Sequence, residues 1–367
     1  MVAIREVDPR PATRDLRPVL HPPKICVICS GFTLAFADTT RYTGTMRLRS
    51  AHEYRETPIY DPMESEVIYV MPTTLTPLRY PGGKTKYTDL FIDIITANGL
   101  ANCTFVEVFA GGAGAAIKLL LDGHVKSIFL NDLDVAIYSF WLMVKERSAD
   151  LVELIRNTPV RMSEWRRQKA IYEAKDTDDP LALGFATFYL NRCNHSGIIE
   201  ARPIGGKAQN GTYKISARYN KDTSIAKIEN IAKHADAIEV FNMDGIEFLK
   251  HLKQKRRNRR CLIYFDPPYF QKGPALYLNH LSYQDHKKLR DCIIQCPFSW
   301  VLSYDMHDEI IDLYRGQNCS LYRNQIRHTI TGNARAEELV ISRLALPEHL
   351  ERLGNEPQQP EGVKANG

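Results

Sequence analysis

The chain has 367 residues, 44% of them hydrophobic and 25% charged, with a net charge of +5. That size allows one large α/β domain plus a smaller one, and no apolar run reaches the roughly 20 residues of a membrane span, so a membrane helix is excluded. The eight cysteines show no framework spacing. They read as free thiols of a reducing cytoplasm, and Cys26-x-x-Cys29 stands without a second pair, so no metal site is expected.

Residues 1–70 show no sustained periodicity. Residues 25–37 are apolar and end Ala35-Phe36-Ala37, which mimics a signal cleavage site. The stretch before them is too long, too proline-rich and too mixed in charge for a signal peptide. Residues 1–70 therefore read as an extension dispensable for catalysis, with an accessory role as the alternative and the working chain opening at Met71.

Residues 71–146 carry the first functional signals. Leu78-Arg79-Tyr80-Pro81-Gly82-Gly83-Lys84 comes first. Residues 104–109 then read as a buried strand, followed by Ala110-Gly111-Gly112-Ala113-Gly114 and a helical run over 115–121. Strand, glycine loop and helix is the layout that lets a nucleoside cofactor approach backbone. The strand over 127–130 ends in Asn131-Asp132, and Asp132 lies 20 residues after Gly112. That spacing suits an acid on ribose hydroxyls. There is no Gly-Lys-Ser/Thr, so a triphosphate is not the expected ligand. Asp134 reads as a cap for a helix over 135–145.

The next strand, 237–242, comes about 90 residues later, far beyond an ordinary connection. Helical patterns at 149–157, 163–173 and 181–192 fill the gap, and a glycine-rich stretch follows at 205–215. Asn210-Gly211 signals a hairpin turn there. Residues 147–235 thus read as an inserted, mainly helical subdomain with a protruding hairpin. Residues 156–235 hold 14 Lys and Arg against 8 Asp and Glu, so the charge surplus sits in the insertion; by charge alone it suits a polyanion contact or a solvated face equally.

The basic run over 253–260 precedes the strand at 262–265, which places it at the opposite sheet edge from the loop that leaves that strand. It reads as a solvated face. The strand itself ends in Asp266-Pro267-Pro268-Tyr269. Neither proline can donate to a sheet, so the strand stops in a stiff loop at its carboxyl end, where open α/β sheets bind ligands. The loop offers a carboxylate, backbone carbonyls and a flat ring, the parts needed to hold a planar amino-heterocycle. Ser282-x-x-Asp285 is a capping box for a helix over 283–295. A strand follows at 300–304, then a helix at 308–314 ended by Gly316. Strands at 320–327 and 338–344 form an antiparallel pair. The tail over 347–367 is polar and expected to be disordered.

In the order Pro-Gly-Gly-Lys, Phe-Ala-Gly-Gly, insertion, Asp-Pro-Pro-Tyr, the chain resembles the Dam-like N6-adenine DNA methyltransferases from about residue 77 to 344. Tyr189-Leu190-Asn191-Arg192, Ser196-Gly197-Ile198 and Val301-Leu302-Ser303-Tyr304-Asp305 are also similar to that family. Val108 departs from it, standing where the family usually has proline, but valine continues the strand well. The resemblance implies a Rossmann-like, seven-stranded methyltransferase sheet formed by residues 71–146 and 236–346, with 147–235 as target-recognition subdomain. It implies S-adenosylmethionine as cofactor and double-stranded DNA as partner. It also implies a cytoplasmic, bacterial or phage-encoded monomer without metal, with a cognate restriction nuclease as a further partner.

Adenine's exocyclic nitrogen is a poor nucleophile because its lone pair is delocalised. Accepting both of its N–H bonds favours a pyramidal nitrogen. Asp266 and the Pro267 carbonyl are the expected acceptors, followed by Pro268, with Tyr269 stacking on the extruded base and Phe270 as a second wall or as core. Tyr80, Lys84, Glu107, Gly111, Gly112, Asp132 and Asp266 are the expected cofactor contacts, with Lys84 on the methionine carboxylate and Glu107 on its amine. Asp244 either accepts from the cofactor's adenine or caps the helix near Ile246. Arg192, Arg202, Lys207, Lys214 and Arg218 are the expected DNA contacts. Methylation of RNA, of a protein amide, or DNA binding without catalysis are the alternatives. The basic insertion and the intact Asp266 weigh against the last two.

Overall fold

The computed structural model describes residues 59–60, 67–68, 74–80, 83–255, 260–270, 281–327 and 335–354. Most of the expected extension, Cys26 and Cys29, Pro81-Gly82, the centre of the basic run (256–259) and residues 355–367 lie outside the described residues. Residues 1–72 form one unit. Among its described residues, β1 (Ile59–Tyr60) and β2 (Val67–Ile68) pair antiparallel.

The second unit, 73–367, is a mixed α/β fold. α1 (Thr88–Ala97) leads into β3 (Thr104–Glu107), α2 (Gly114–Leu121), β4 (Ser127–Asn131) and α3 (Val135–Glu146). The expected insertion supplies α4 (Ser148–Asn157), α5 (Met162–Ala174), α6 (Pro180–Cys193) and α7 (Lys221–Ala232). The alternation then resumes with β5 (Ile238–Phe241), α8 (Gly245–Lys255), β6 (Cys261–Phe265), α9 (Tyr283–Ile294), β7 (Ser299–Asp305) and α10 (Asp308–Tyr314). Strands β8 (Ser320–Arg327), β9 (Arg335–Ser342) and β10 (Glu351–Arg352) close the fold.

The strand order is β10-β8-β9-β7-β6-β3-β4-β5. Strands β5, β4, β3, β6 and β7 are parallel neighbours, and the rest join antiparallel. The sheet has eight strands rather than the expected seven, because β10 adds an edge to β8, with Glu351 opposite Arg323. Leu350 is buried beside it, so packing continues past residue 346. Chain direction along the sheet reverses between β3 and β6: β4 lies to one side of β3, β6 and β7 to the other. Open α/β sheets form their ligand crevice at the carboxyl ends of such a pair.

Strand side chains alternate between two cores. Phe105, Leu130, Leu262 and Tyr264 face the core built with α1 to α3, while Val106, Phe129, Ile263 and Phe265 face the core built with α8 to α10. The insertion does not keep a separate core. Leu151, Leu183, Phe188 and Ile228 join the first one, and α6 packs on α3 and α5. Helix starts follow their caps: Asp134 Oδ1 accepts from Ala136 N–H, Asp179 caps α6 ahead of Pro180, and Ser282 and Asp285 form the capping box of α9.

Residues 205–215 do not form the expected β-hairpin. Gly205, Gly206 and Gln209 take positive φ, and the Gln209 side chain gathers the loop. Its Nε2 donates to the Ile204 and Gly206 carbonyls, and its Oε1 accepts from Ile215 N–H. The segment has few residues that favour a strand, so a side-chain amide satisfies the backbone that a ladder would otherwise pair.

Candidate active site

The carboxyl ends of β3, β4 and β6 bring Glu107, Asp132 and Asp266 to one edge of the sheet. β6 is buried along its whole length, and the chain leaves it through Asp266 into the two prolines. The Asp266 side chain keeps 22% of its surface exposed. Its Oδ1 accepts from Ser303 Oγ at 2.8 Å and faces Lys84 Nζ at 3.1 Å. Ser303 is itself bonded to the Tyr264 hydroxyl at 2.7 Å. Among the described residues both contacts fall on Oδ1, which leaves Oδ2 for a further donor. Burial raises the Asp266 carboxyl above its ordinary range, and Lys84 opposes that rise without cancelling it.

Lys84 is buried. Besides Asp266 it donates to the Tyr269 hydroxyl and lies 3.3 Å from Glu338 Oε2. The Tyr87 hydroxyl also donates to Glu338. Burial disfavours the ammonium, but Asp266 and then Glu338 outweigh it, and the Lys84 pKa is raised. An ammonium has three donors, and these partners take them all. The structure therefore sets Lys84 against the carboxylate of Asp266, where the sequence reading set it on a cofactor carboxylate.

The glycine loop is held from several directions. Gly111 N–H donates to Asp132 Oδ2, Trp141 Nε1 donates to the Gly111 carbonyl, and Thr76 Oγ donates to the Gly112 carbonyl. Gly111 has φ +46°, and a Cβ there would lie 2.6 Å from Tyr80 Cε1. The Tyr80 ring thus covers the loop backbone. Asp132 Oδ1 accepts from Asp134 N–H, and burial pushes the Asp132 carboxyl up to about 6. Glu107 is buried and accepts from Ala116 N–H, and burial pushes its carboxyl up to about 8. Asp244 is exposed, and its Oδ1 accepts from Ile246 and Glu247 N–H. Of its two expected roles, this is the helix cap.

Tyr269 and Phe270 are half-buried beyond the prolines. Phe270 N–H donates to Asp305 Oδ1, and its ring lies 4.7 Å from that of His307. Among the expected DNA contacts, Arg192 is half-buried, whereas Arg202, Lys207, Lys214 and Arg218 are exposed. Lys214 Nζ donates to the Gln209 carbonyl at 2.7 Å.

Four residues of this network were not foreseen as site residues: Tyr87, Tyr264, Ser303 and Glu338. Ser303 left a trace, as a polar residue inside a fully buried strand run. Glu338 left none, because it arrives through the pairing of β7 with β9, which sets it opposite Asp305. Among the described residues, no group of His, Cys, Asp and Glu is arranged to hold a metal ion, and no helix is long and apolar enough to cross a membrane.

A comparison with solved structures gives protein LPL1258 from Legionella pneumophila str. Philadelphia 1, at 12% identity and a TM-score of 0.27, over 71% of this chain and 86% of that one. No curated protein matches the chain. The model of the D12 class N6 adenine-specific DNA methyltransferases matches residues 80–330. That span runs from Tyr80 through the glycine loop, the insertion and Asp266 to the strands that carry Ser303, and the chain belongs to this family of DNA adenine methyltransferases.

Proposed function

We propose that the chain transfers a methyl group from S-adenosylmethionine to N6 of an adenine rotated out of double-stranded DNA. The observation that carries this reading is Asp266. It is a carboxylate at the ligand-binding edge of the sheet, with Oδ1 fixed by Ser303 and Lys84 and Oδ2 left to accept. Oδ2 and the Pro267 carbonyl take the two N–H bonds of the amine, which localises the nitrogen lone pair. Positive charge developing on that nitrogen is stabilised by Asp266, in a partly buried site where the interaction is strengthened. Tyr269 stacks on the base. Rotating the base out of the duplex costs about a few kcal/mol, which these contacts offset.

The acidic donor set fits a cationic cofactor. Glu107 has one N–H donor on Oε1, and burial disfavours its carboxylate, a cost that a cationic group beside it would offset. The cofactor's amine suits it, and Asp132, at the end of the next strand, suits ribose hydroxyls. When bound, the cofactor supplies a methyl group on a sulfonium. Gly111 and Gly112 offer backbone at close range, and Tyr80 borders that surface. Lys84 holds Asp266 in place, and reaching a cofactor carboxylate would require it to release one of its present partners.

Residues 147–235 are proposed to recognise the DNA target, with Arg192, Arg202, Lys207, Lys214 and Arg218 as contacts. Incubating the protein with duplex DNA and methyl-labelled S-adenosylmethionine, then digesting to nucleosides, tests the reaction. Label in N6-methyladenosine is the expected result. Label in cytosine, or only in RNA, would refute the proposal.

A further inference from the structure

The insertion meets the segment before Tyr80 at a cluster of four cations. Asn191 on α6 clamps the backbone of Arg79: its Oδ1 accepts from Arg79 N–H at 2.8 Å, and its Nδ2 donates to the Arg79 carbonyl at 2.7 Å. Gly197 permits the approach, since a Cβ there would sit 2.0 Å from the Arg79 oxygen. Arg192 follows Asn191 on the same helix. Lys227, from α7, lies 3.3 Å from the Thr76 carbonyl and 3.5 Å from Thr74 Oγ. Arg218 approaches from the loop before α7.

These cations oppose one another. Burial and then Arg218 lower the Arg79 pKa. Burial and then Arg79 push Arg192 down to about 10. Burial and then Arg192 lower Lys227. Among the described residues none of the four makes an ion pair, and two of the three repulsions come from another member of the cluster that is itself partly buried. Two N–H groups of the cluster, Arg79 Nη1 and Arg192 Nε, are buried without a hydrogen-bond acceptor. A cavity of about 280 Å³ opens beside Arg79, lined also by Thr74, Thr76, Tyr80, Gly112 and Ser196; of the four cations Arg79 alone lines it. Neither Lys84 nor Asp266 lines it.

Three of these like charges are partly buried and Arg218 is exposed; partly buried like charges with orphaned donors are costly to the free protein. A bound anion with several acceptor oxygens removes that cost, and a guanidinium pair matches phosphate in both charge and geometry. We infer that Arg79, Arg192, Arg218 and Lys227 form a binding site for a phosphate group of the nucleic-acid backbone. The inference rests on the reading of this chain as a DNA methyltransferase. It adds Arg79 and Lys227 to the DNA surface and gives Arg192 and Arg218 a phosphate to bind. Phosphate contacts set the register of a duplex on its protein. Arg79 directly precedes Tyr80 in the chain, so a phosphate held here registers the DNA close to the glycine loop.

The test uses the full chain and a fluorescently labelled duplex, with anisotropy titrations at several NaCl concentrations. Arg79→Gln/Lys227→Gln is expected to flatten the slope of log K against log salt by about one unit or more, equally for duplexes with and without a methylation target. It should leave S-adenosylmethionine affinity unchanged by calorimetry, and relief of charge repulsion should hold or raise Tm. Should the double variant fold poorly, Lys227→Gln alone carries the same expectation. An unchanged salt slope overturns the site as a DNA contact. If inorganic phosphate then raises the Tm of the wild type but not of the variant, the cluster binds a free anion and the nucleic-acid assignment is wrong. A fall in Tm with an unchanged slope makes the cations structural and likewise overturns the inference. A flattened slope in a protein that methylates no DNA would sink the proposed reaction and leave the phosphate site standing.

Discussion

Arg79 and Lys84 lie five residues apart in the chain and belong to two charged sites built on opposite plans. Around Lys84 opposite charges meet: two carboxylates, Asp266 and Glu338, face one ammonium, and Ser303, Tyr87 and Tyr269 add hydrogen bonds. Around Arg79 the charges share one sign, and two buried donors stay without acceptors. The first arrangement fixes geometry before any ligand arrives, as preorganised catalysis requires. The second is completed only by an anion from outside. A network of opposite charges and one of like charges thus mark different tasks, chemistry in one case and capture in the other.

Removing the carboxylate at the centre of the closed network should give the largest effect. Asp266→Ala is expected to lower the methylation rate about 100-fold or more while leaving duplex affinity and its salt slope in place. Retention of more than a tenth of the wild-type rate would show that Asp266 does not contact the reacting amine. Gly111→Ala comes next. Its φ of +46° is strained for alanine, and the Cβ would meet Tyr80 at 2.6 Å. The expected cost is about 1–2 kcal/mol of stability, seen as a lower urea midpoint, with weakened S-adenosylmethionine binding by calorimetry. Near-normal cofactor affinity would separate the glycine loop from the cofactor site.

Ser303→Ala loosens the closed network without removing its charges. Burial already raises the Asp266 pKa, and the Ser303 hydroxyl works against that rise. The acceptor role needs the ionised carboxylate, so the rate should fall as pH drops through a pKa above the ordinary Asp range. Losing the hydroxyl removes a bond to the charged form, so the acid limb of kcat/KM should move to higher pH. The loss at neutral pH should be about tenfold, comparable to one hydrogen bond to a charged group. A uniformly lower rate with an unmoved acid limb would assign Ser303 a packing role only.

Local signals in the sequence located most of this fold. The helices expected at 149–157, 163–173 and 181–192 are found at Ser148–Asn157, Met162–Ala174 and Pro180–Cys193, because periodicity and caps such as Asp179-Pro180 are local properties. Asp266 at the end of β6 and Asp132 after β4 were legible for the same reason: strand followed by breaker is a pattern within a few residues. The hidden features depend on distant pairing. Glu338 reaches Lys84 through the register of β9 on β7, and β10 joins the sheet through β8. The Arg79 cluster depends on Asn191 gripping a backbone 112 residues away. Asn210-Gly211 misled because a turn dipeptide makes a hairpin only between segments able to pair.

That loop supplies the smallest expected effect, and it sharpens the contrast with the Arg79 cluster. Lys207 and Lys214 are both exposed, but the Lys214 ammonium already donates to the Gln209 carbonyl. Replacing an exposed, well-solvated lysine relieves no buried charge, so neither Lys207→Ala nor Lys214→Ala should shift stability by more than about 0.5 kcal/mol. If the loop reaches DNA, Lys207→Ala should flatten the salt slope by about one unit. Lys214→Ala should flatten it less, because binding phosphate there competes with a bond the loop already holds. Anisotropy on the same duplex compares the two directly. An unchanged slope in Lys207→Ala would take the loop out of the DNA interface. A larger change from Lys214 than from Lys207 would mean that the loop rearranges on DNA and releases the Gln209 bond.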